Sequence, residues 1–220
     1  MRSYARSAAI EPLRKFFRIV DLVLLLTALR MEKRLPSFAE LRKTTFVELG
    51  PGPMRLAFVK RLIFGQVFFV DRSDVGVCDP GLRVVDLELF DNAGSIVRDV
   101  CGLSSDAAVL LFADHCLEHV SEDVLSGFLK SVVHDRLLSC FRVPNILSPC
   151  GSRNFMRDAT HRTSFSSGLR ERVDGMGFEI FPWIRWYRPL PILKALFRRQ
   201  SWMNQAEEIA ICTSRAAMHS

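Results

Sequence analysis

The chain has 220 residues, of which 49% are hydrophobic and 25% are charged, and its formal net charge is +6 at pH 7. This composition excludes a disordered chain, and the length suits one α/β domain rather than two. The six cysteines are scattered without C-x-x-C spacing, so we expect no metal site and a cytoplasmic location.

Residues 1–43 are predicted to form a basic, helical extension. Residues 9–34 carry apolar side chains at helical spacing, and Pro36 ends the segment. The apolar part is too short for a membrane-spanning helix and is interrupted by Arg18 and Asp21. We expect this helix to pack over the sheet of the following domain or over its ligand cleft.

The stretch 44–71 has the pattern of a strand, a glycine turn, a helix and a second strand. A short β-prone run ends at Glu48, and Gly50 and Gly52 then allow a sharp turn with room for a ligand. Apolar residues at helical spacing follow, and a second apolar run ends at Asp71. The pattern predicts the first βαβ unit of a doubly wound sheet, with a ligand at the carboxyl ends of its strands.

The turn E-x-G-x-G, with a carboxylate at the tip of the next strand, resembles motif I and its partner in class I S-adenosylmethionine-dependent methyltransferases. A dinucleotide fingerprint needs a third glycine where this chain has Arg55, which argues against NAD. The resemblance implies a Rossmann-like, mostly parallel sheet of seven strands. It also implies that Gly50 and Gly52 lie against the amino acid part of S-adenosylmethionine. Glu48 would order the loop and the methionine ammonium, and Asp71 would accept hydrogen bonds from the ribose hydroxyls.

The third strand is predicted at residues 95–97, which end near Asp99. In the methyltransferases an acidic residue after the third strand accepts a hydrogen bond from the adenine amino group, and Asp99 resembles that residue. Asp86, in the segment VVDLEL, is the alternative. The spacing to the next strand favours Asp99.

Residues 107–113 form a continuous apolar run, which predicts a strand buried on both faces. The segment DHCLEHV follows, and it resembles the LEHV segment of type 11 methyltransferases. By this resemblance Asp114 lies over the methionine end of the cofactor. Glu118 and His119 lie at the switch region of the sheet, where a ligand is expected. Alternatively, these polar residues only begin the next helix, for which Ser121 is a suitable N-cap.

The segment RDATH, residues 157–161, resembles the acceptor-side loop of methyltransferases found with bacterial sugar and polysaccharide pathways. Asp158 and His161 are close enough in sequence for the carboxylate to orient the imidazole. For a hydroxyl acceptor, His161 or His119 suits a general base, since the ordinary pKa of histidine is about 6.5. Alternatively, Asp158 and His161 only cap the following helix.

The remaining segments are predicted to complete the sheet. Apolar periodicity predicts a helix over 121–137, a strand over 138–143, a short helix ending at 175–177, and strands over 178–181 and 208–213. Between the last two strands, residues 183–203 form a basic aromatic insertion. Such a patch suits contact with an anionic membrane surface, a phosphorylated glycan or nucleic acid. The alternative is a solvated surface beside ordinary core aromatics.

Residues 44–220 are thus predicted to be a methyltransferase domain that uses S-adenosylmethionine. The predicted reaction is methyl transfer to a small-molecule or glycan acceptor, in bacterial polysaccharide biosynthesis. An RNA methyltransferase is an alternative, but no N-P-P-Y-like tetrapeptide follows the fourth strand, so nucleic acid is not the expected partner. A non-catalytic binding or scaffold protein with the same fold is the other alternative.

Overall fold

The computed structural model describes residues 2–31, 35–51, 56–72, 79–86, 88, 92–183 and 208–213. Its strands are Thr45–Leu49 (β1), Gln66–Asp71 (β2), Leu82–Val84 (β3), Val109–Asp114 (β4), Leu138–Pro144 (β5), Phe178–Trp183 (β6) and Glu208–Thr213 (β7). Its helices are Arg2–Met31 (α1), Phe38–Leu41 (α2), Ala57–Ile63 (α3), Ala93–Ser95 (α4), Glu122–His134 (α5), Pro149–Arg157 (α6) and Ser167–Gly175 (α7). A π-helical turn, Ile96–Val100, continues α4, and a 3-10 turn, Leu117–His119, follows β4.

Among the described residues, seven strands form one sheet in the order β3-β2-β1-β4-β5-β7-β6. At its centre β1 runs parallel to both neighbours, with Val47 opposite Phe68 of β2 and Leu111 of β4. Only β7 runs antiparallel to the strands beside it, β5 and β6. The strand order reverses between β1 and β4, so their carboxyl ends form the switch point at which such sheets bind ligands. The predicted doubly wound, mostly parallel sheet of seven strands is therefore confirmed.

Apolar side chains cover both faces of the sheet. On one face Val47 and Leu111 share a core with Leu129 of α5. On the other face Phe46 shares a core with Leu25 of α1. Strands buried on both faces carry nearly continuous apolar runs, which is why β1 and β4 are recognisable in the sequence.

The N-terminal residues supply one of these two layers. The side chains of α1 that are buried in the core beneath the sheet are Leu22, Leu25, Leu26 and Leu29. Ser37 begins α2 with a capping box, in which its hydroxyl accepts from Glu40 N at 3.3 Å and its N–H donates to Glu40 Oε2 at 2.7 Å. None of the helices in the described part of the chain is long and apolar enough to cross a membrane.

The predicted position of the third strand is wrong. The strand that pairs with β2 is β3, in which Arg83 lies opposite Val70, whereas residues 95–97 belong to α4 and the π-helical turn. Ile96 and Val97 resemble a strand because they are apolar and β-branched, yet they are apolar because they are buried in the core. Asn92 caps α4 by accepting from Ser95 N at 3.2 Å, which favours the helical conformation.

Two predicted features lie outside the described residues. One is Gly52, and the other is the basic aromatic insertion at 183–203, of which only Trp183 is described. The strands on either side of the insertion nevertheless form the predicted hairpin, with Ile180 of β6 opposite Ile211 of β7. This hairpin closes the sheet beside β5.

Candidate active site

A cavity of about 270 Å³ lies at the carboxyl ends of the central strands, and we call it the first cavity. Its lining comes from the turn after β1, the end of β2, the segment after β3 and the segment after β4. These residues are Gly50, Asp71, Arg72, Asp86, Glu88, His115, Cys116, His119 and Val120. The first cavity is thus at the switch point of the sheet, where a ligand is expected.

Gly50 brings the turn after β1 against the segment after β4. Its φ is +60°, a left-handed conformation that favours glycine, and its N–H donates to Val70 O at 2.8 Å. A Cβ at this position would lie 2.5 Å from Cys116 Sγ. The glycine predicted from the sequence is therefore required by both conformation and space.

Acidic side chains line the first cavity at the ends of two neighbouring strands. Asp71 is the last residue of β2, and Asp86 follows β3 by two positions. Glu88 accepts hydrogen bonds from Ser121 N at 3.0 Å and from Arg162 Nη1 at 2.6 Å. Burial raises the pKa of Glu88, but these hydrogen bonds outweigh it and lower the pKa below its ordinary value.

Asp99, predicted to bind the adenine amino group, lies in the π-helical turn and is exposed. It is not among the residues that line the first cavity, whereas Asp86, the alternative, is. Because β3 lies at 82–84, Asp86 is also the acidic residue that follows the third strand. The structure therefore brings Asp86, and not Asp99, to Asp71.

Glu48 is buried and forms an ion pair with Lys60 of α3. Burial raises the pKa of Glu48, and the ammonium of Lys60 opposes this rise only in part. The ion pair connects the end of β1 to the helix that follows the glycine turn, so it fixes both ends of that turn. Glu48 lines a separate cavity of about 30 Å³ rather than the first cavity.

Arg142 of β5 connects Asp114 to α1. Its guanidinium donates to Asp114 from Nε at 3.1 Å and from Nη2 at 2.5 Å, and it also donates to Asp21. Burial lowers the pKa of Arg142, but Asp114, Glu208 and Asp21 outweigh it and raise the pKa above its ordinary value. Asp21 accepts a further hydrogen bond from Trp183 Nε1 at 3.3 Å. This network fixes α1 at the carboxyl edge of the sheet, beside the predicted methionine end of the site.

A second cavity, of about 400 Å³, adjoins these residues. It is polar, and it contains the predicted acceptor-side residues His119, Asp158 and His161. The full lining is Arg18, Asp114, His115, Glu118, His119, Pro144, Asn154, Asp158, His161 and Glu208. Because His115 and His119 line both cavities, the two cavities share a wall.

The RDATH loop is held against the 3-10 turn by backbone hydrogen bonds. Arg162 N and Thr163 N both donate to Glu118 O, at 2.8 and 3.0 Å. As a result the rings of His119 and His161 meet, with their centroids 4.6 Å apart. The two histidines predicted from separate motifs are therefore brought together.

Asp158 orients His119 rather than His161. The hydroxyl of Thr160 donates to Asp158 Oδ1 at 2.6 Å, so the same hydroxyl oxygen accepts from His119 Nδ1 at 2.9 Å. The hydrogen bonds from the Thr160 hydroxyl and N–H lower the pKa of Asp158. In contrast, Asp158 Oδ2 is 3.8 Å from His161 Nε2, beyond hydrogen-bond distance.

His161 is oriented by the helix that precedes it. Its Nδ1 donates to Phe155 O at 2.7 Å, and its ring stacks on the ring of Phe155 with a centroid distance of 4.8 Å. A carbonyl oxygen can only accept, so the proton of the neutral imidazole is on Nδ1. The Nε2 atoms of His161 and His119 are therefore the nitrogens with lone pairs.

His115, which the sequence did not suggest as a site residue, is held between two buried carboxylates. Its Nδ1 donates to Glu118 Oε1 at 3.0 Å and its Nε2 donates to Glu208 Oε1 at 2.9 Å. Burial lowers the pKa of His115, but the two carboxylates outweigh it and raise the pKa to about 10. His115 is thus an imidazolium at neutral pH, in the wall between the two cavities.

The sequence carried weak signals for the residues that were missed. Arg142 is the only charged residue in a mostly apolar strand, and an isolated charge in a buried strand implies a partner. Asp21 likewise interrupts an apolar stretch of α1. Neither pattern identifies the partner, because the partner comes from a distant part of the sequence.

No family model matches the sequence, and no curated protein matches it. Solved structures do match the fold. A SAM-dependent methyltransferase from Archaeoglobus fulgidus has a TM-score of 0.56 and 14% identity, over 86% of this chain and 92% of that chain. An S-adenosylmethionine-dependent methyltransferase from Mesorhizobium loti has a TM-score of 0.50 and 16% identity, over 84% of this chain and 95% of that chain.

A third match is a chain from the complex between the Haloferax volcanii Trm112 methyltransferase activator and a methyltransferase. Its TM-score is 0.54 and its identity is 14%, over 96% of this chain and 94% of that chain. At these identities the likeness concerns the fold alone. In all three matches the fold extends over most of both chains.

Proposed function

We propose that this chain, which has the class I S-adenosylmethionine-dependent methyltransferase fold, transfers a methyl group from S-adenosylmethionine to a hydroxyl of a small-molecule or glycan acceptor. The observation that carries the proposal is the pair of adjoining cavities at the switch point of the sheet. The first contains the glycine turn and two strand-end carboxylates, and the second contains two oriented histidines.

The residues that line the first cavity suit the binding of S-adenosylmethionine. Gly50 lines the first cavity without a side chain, which supports close approach of the amino acid part of the cofactor. Asp71 is suited to accept hydrogen bonds from the ribose hydroxyls, and Asp86 from the adenine amino group. Glu48 orders the glycine turn through its ion pair with Lys60. Asp114 is held at the proposed methionine end of the site by its ion pair with Arg142.

The second cavity suits the acceptor. When bound, S-adenosylmethionine supplies a methyl group on a sulfonium, which is transferred by in-line displacement. The protein must orient the acceptor hydroxyl and take its proton. The lone pair on Nε2 of His119 or of His161 can accept that proton, because each ring is oriented through its Nδ1. Asp158 supports His119 through Thr160.

The resemblance of the RDATH loop supports a glycan acceptor in bacterial polysaccharide biosynthesis. The polar lining of the second cavity is compatible with an acceptor rich in hydroxyl groups. The scattered cysteines, without the spacing of a disulfide framework, support a cytoplasmic location.

The experiment is a transfer assay with methyl-labelled S-adenosylmethionine and a panel of sugar nucleotides, oligosaccharides and RNA. We expect label in a hydroxylated sugar acceptor, and loss of label with His119→Asn. His134→Asn, at the exposed end of α5, is the matched control. Label only in RNA would contradict the acceptor class, and no label with a protein that binds the cofactor would favour a non-catalytic scaffold.

A further inference from the structure

Three side chains with metal-binding donor atoms converge on the wall of the second cavity. Glu118, His119 and His161 each place one donor atom within 4.8 Å of the others. Two of them lie in the 3-10 turn, and the third lies in the RDATH loop. The hydrogen bonds from Arg162 N and Thr163 N to Glu118 O hold these two segments together. The three donors are thus brought together by backbone contacts and not by chance proximity of long side chains.

In both histidines Nδ1 is held by a partner, and Nε2 carries the lone pair. His161 Nδ1 donates to Phe155 O at 2.7 Å, and His119 Nδ1 donates to Thr160 Oγ1 at 2.9 Å. The Thr160 hydroxyl in turn donates to Asp158 Oδ1 at 2.6 Å. Metal-binding histidines are typically oriented in this way, by a carbonyl or a carboxylate on the nitrogen that does not bind the metal.

Glu118 supplies an independent observation. Glu118 is fully buried, with 0% exposure, and its Oε1 accepts a hydrogen bond from His115 Nδ1. Its Oε2 has no hydrogen-bond partner among the residues that the structure describes. A buried carboxylate oxygen without a partner is costly, and a bound cation is one of the few ways to stabilise it.

We propose that Glu118, His119 and His161 bind a divalent transition-metal cation. Two imidazole nitrogens and one carboxylate oxygen suit Zn²⁺, Mn²⁺, Fe²⁺ or Co²⁺, and do not suit Ca²⁺, which takes oxygen ligands. Three protein ligands leave coordination positions open toward the second cavity. The absence of metal-binding cysteine spacing predicted no metal site, but this site contains no cysteine.

The role of the cation rests on the proposed function. An acceptor oxygen that enters the second cavity can bind an open coordination position, where the cation lowers the pKa of the hydroxyl. In the metal-bound protein both Nε2 lone pairs are ligands, so the histidines do not act as the base, and the hydroxyl proton passes to water in the open, polar second cavity. This places the acceptor oxygen beside the wall that the two cavities share. The substrate class that fits is a hydroxylated acceptor able to coordinate a cation, such as a sugar with neighbouring hydroxyls.

The test is a titration of the metal-free protein with Co²⁺, followed by calorimetry and by the visible absorption of the bound ion. We expect one Co²⁺ per chain. His161→Asn removes a ligand and should weaken Co²⁺ binding by more than about 100-fold. Thr160→Val removes only the hydrogen-bond partner of His119 and should weaken Co²⁺ binding by about 10- to 100-fold. His134→Asn is the control and should bind Co²⁺ as the wild type does. Thr160 is exposed, so its substitution leaves the core unchanged.

Two outcomes would overturn the site. One is a folded wild-type protein that takes up no Co²⁺, Zn²⁺ or Mn²⁺ at millimolar concentration. The other is Co²⁺ affinity unchanged in both His161→Asn and Thr160→Val. Binding of S-adenosylmethionine, measured on the same proteins, separates the two proposals, because neither residue lines the first cavity. A wild-type protein that binds Co²⁺ but not S-adenosylmethionine would count against the proposed function alone.

Discussion

Gly50→Ala tests the close approach between the turn after β1 and the segment after β4. A non-glycine residue in the left-handed conformation costs roughly 1–2 kcal/mol, and Gly50 has a φ of +60°. The new Cβ would also lie 2.5 Å from Cys116 Sγ and 2.8 Å from Cys116 Cβ. Overpacking of this kind costs about 1–3 kcal/mol. We therefore expect the free energy of unfolding to fall by about 2–5 kcal/mol, measured by urea denaturation and circular dichroism.

A second background separates the two contributions. Cys116→Gly removes both of the atoms that the new Cβ would meet, so Gly50→Ala should then retain only the cost of the backbone conformation. The penalty should be smaller in that background by about 1–3 kcal/mol, which a double-mutant cycle measures. A penalty below about 0.5 kcal/mol in the wild-type background, or an equal penalty in both backgrounds, would refute this reasoning.

Three further predictions concern an ion pair, the cofactor and a helix cap. Lys60→Met leaves Glu48 buried without its cation and should cost about 3–5 kcal/mol at neutral pH. Burial raises the pKa of Glu48, so the folded protein favours the protonated carboxyl, which needs no cation. The stability that this protonated form contributes is present at acidic pH and is lost as the pH rises. The destabilisation should therefore be smaller in acidic than in alkaline urea titrations. Asp86→Ala should weaken S-adenosylmethionine binding about 3- to 10-fold by calorimetry, and Asp99→Ala should leave it unchanged. Ser37→Ala should lower the free energy of unfolding by about 1 kcal/mol, measured by urea denaturation.

Each of these predictions has a contradicting result. A Lys60→Met penalty that grows at acidic pH would show that Lys60 does not stabilise the carboxylate form of Glu48. Weaker cofactor binding in Asp99→Ala than in Asp86→Ala would indicate that Asp99, and not Asp86, binds the adenine amino group. An unchanged free energy of unfolding in Ser37→Ala would mean that the capping box does not form in solution.

The sheet was largely predictable from the sequence because its central strands are buried on both faces. Residues 46–47 and 109–113 are apolar, which is typical of strands that are buried on both faces. The third strand was not predictable, because Leu82–Val84 is short, lies at the edge of the sheet and is partly exposed. Ile96 and Val97 carried the stronger β signal, although their burial results from a helical turn.

The candidate site was predictable only in part, for a related reason. Gly50 and Asp71 follow from local patterns, since a glycine turn and a strand end are visible in a few consecutive residues. The partner of Asp114 does not follow from local patterns. Arg142 is distant in sequence and comes opposite Asp114 only when β4 pairs with β5. Local sequence likewise suggested that Asp158 orients His161, whereas Thr160 connects it to His119.

The central claim is that the first cavity binds S-adenosylmethionine, and calorimetric titration of the purified chain tests it most directly. We expect saturable binding of S-adenosylmethionine and S-adenosylhomocysteine. Asp71→Ala should abolish that binding, and Asp99→Ala, at an exposed position, should preserve it. A folded wild-type protein that binds neither compound, or an Asp71→Ala variant that binds both as tightly as the wild type, would contradict the claim.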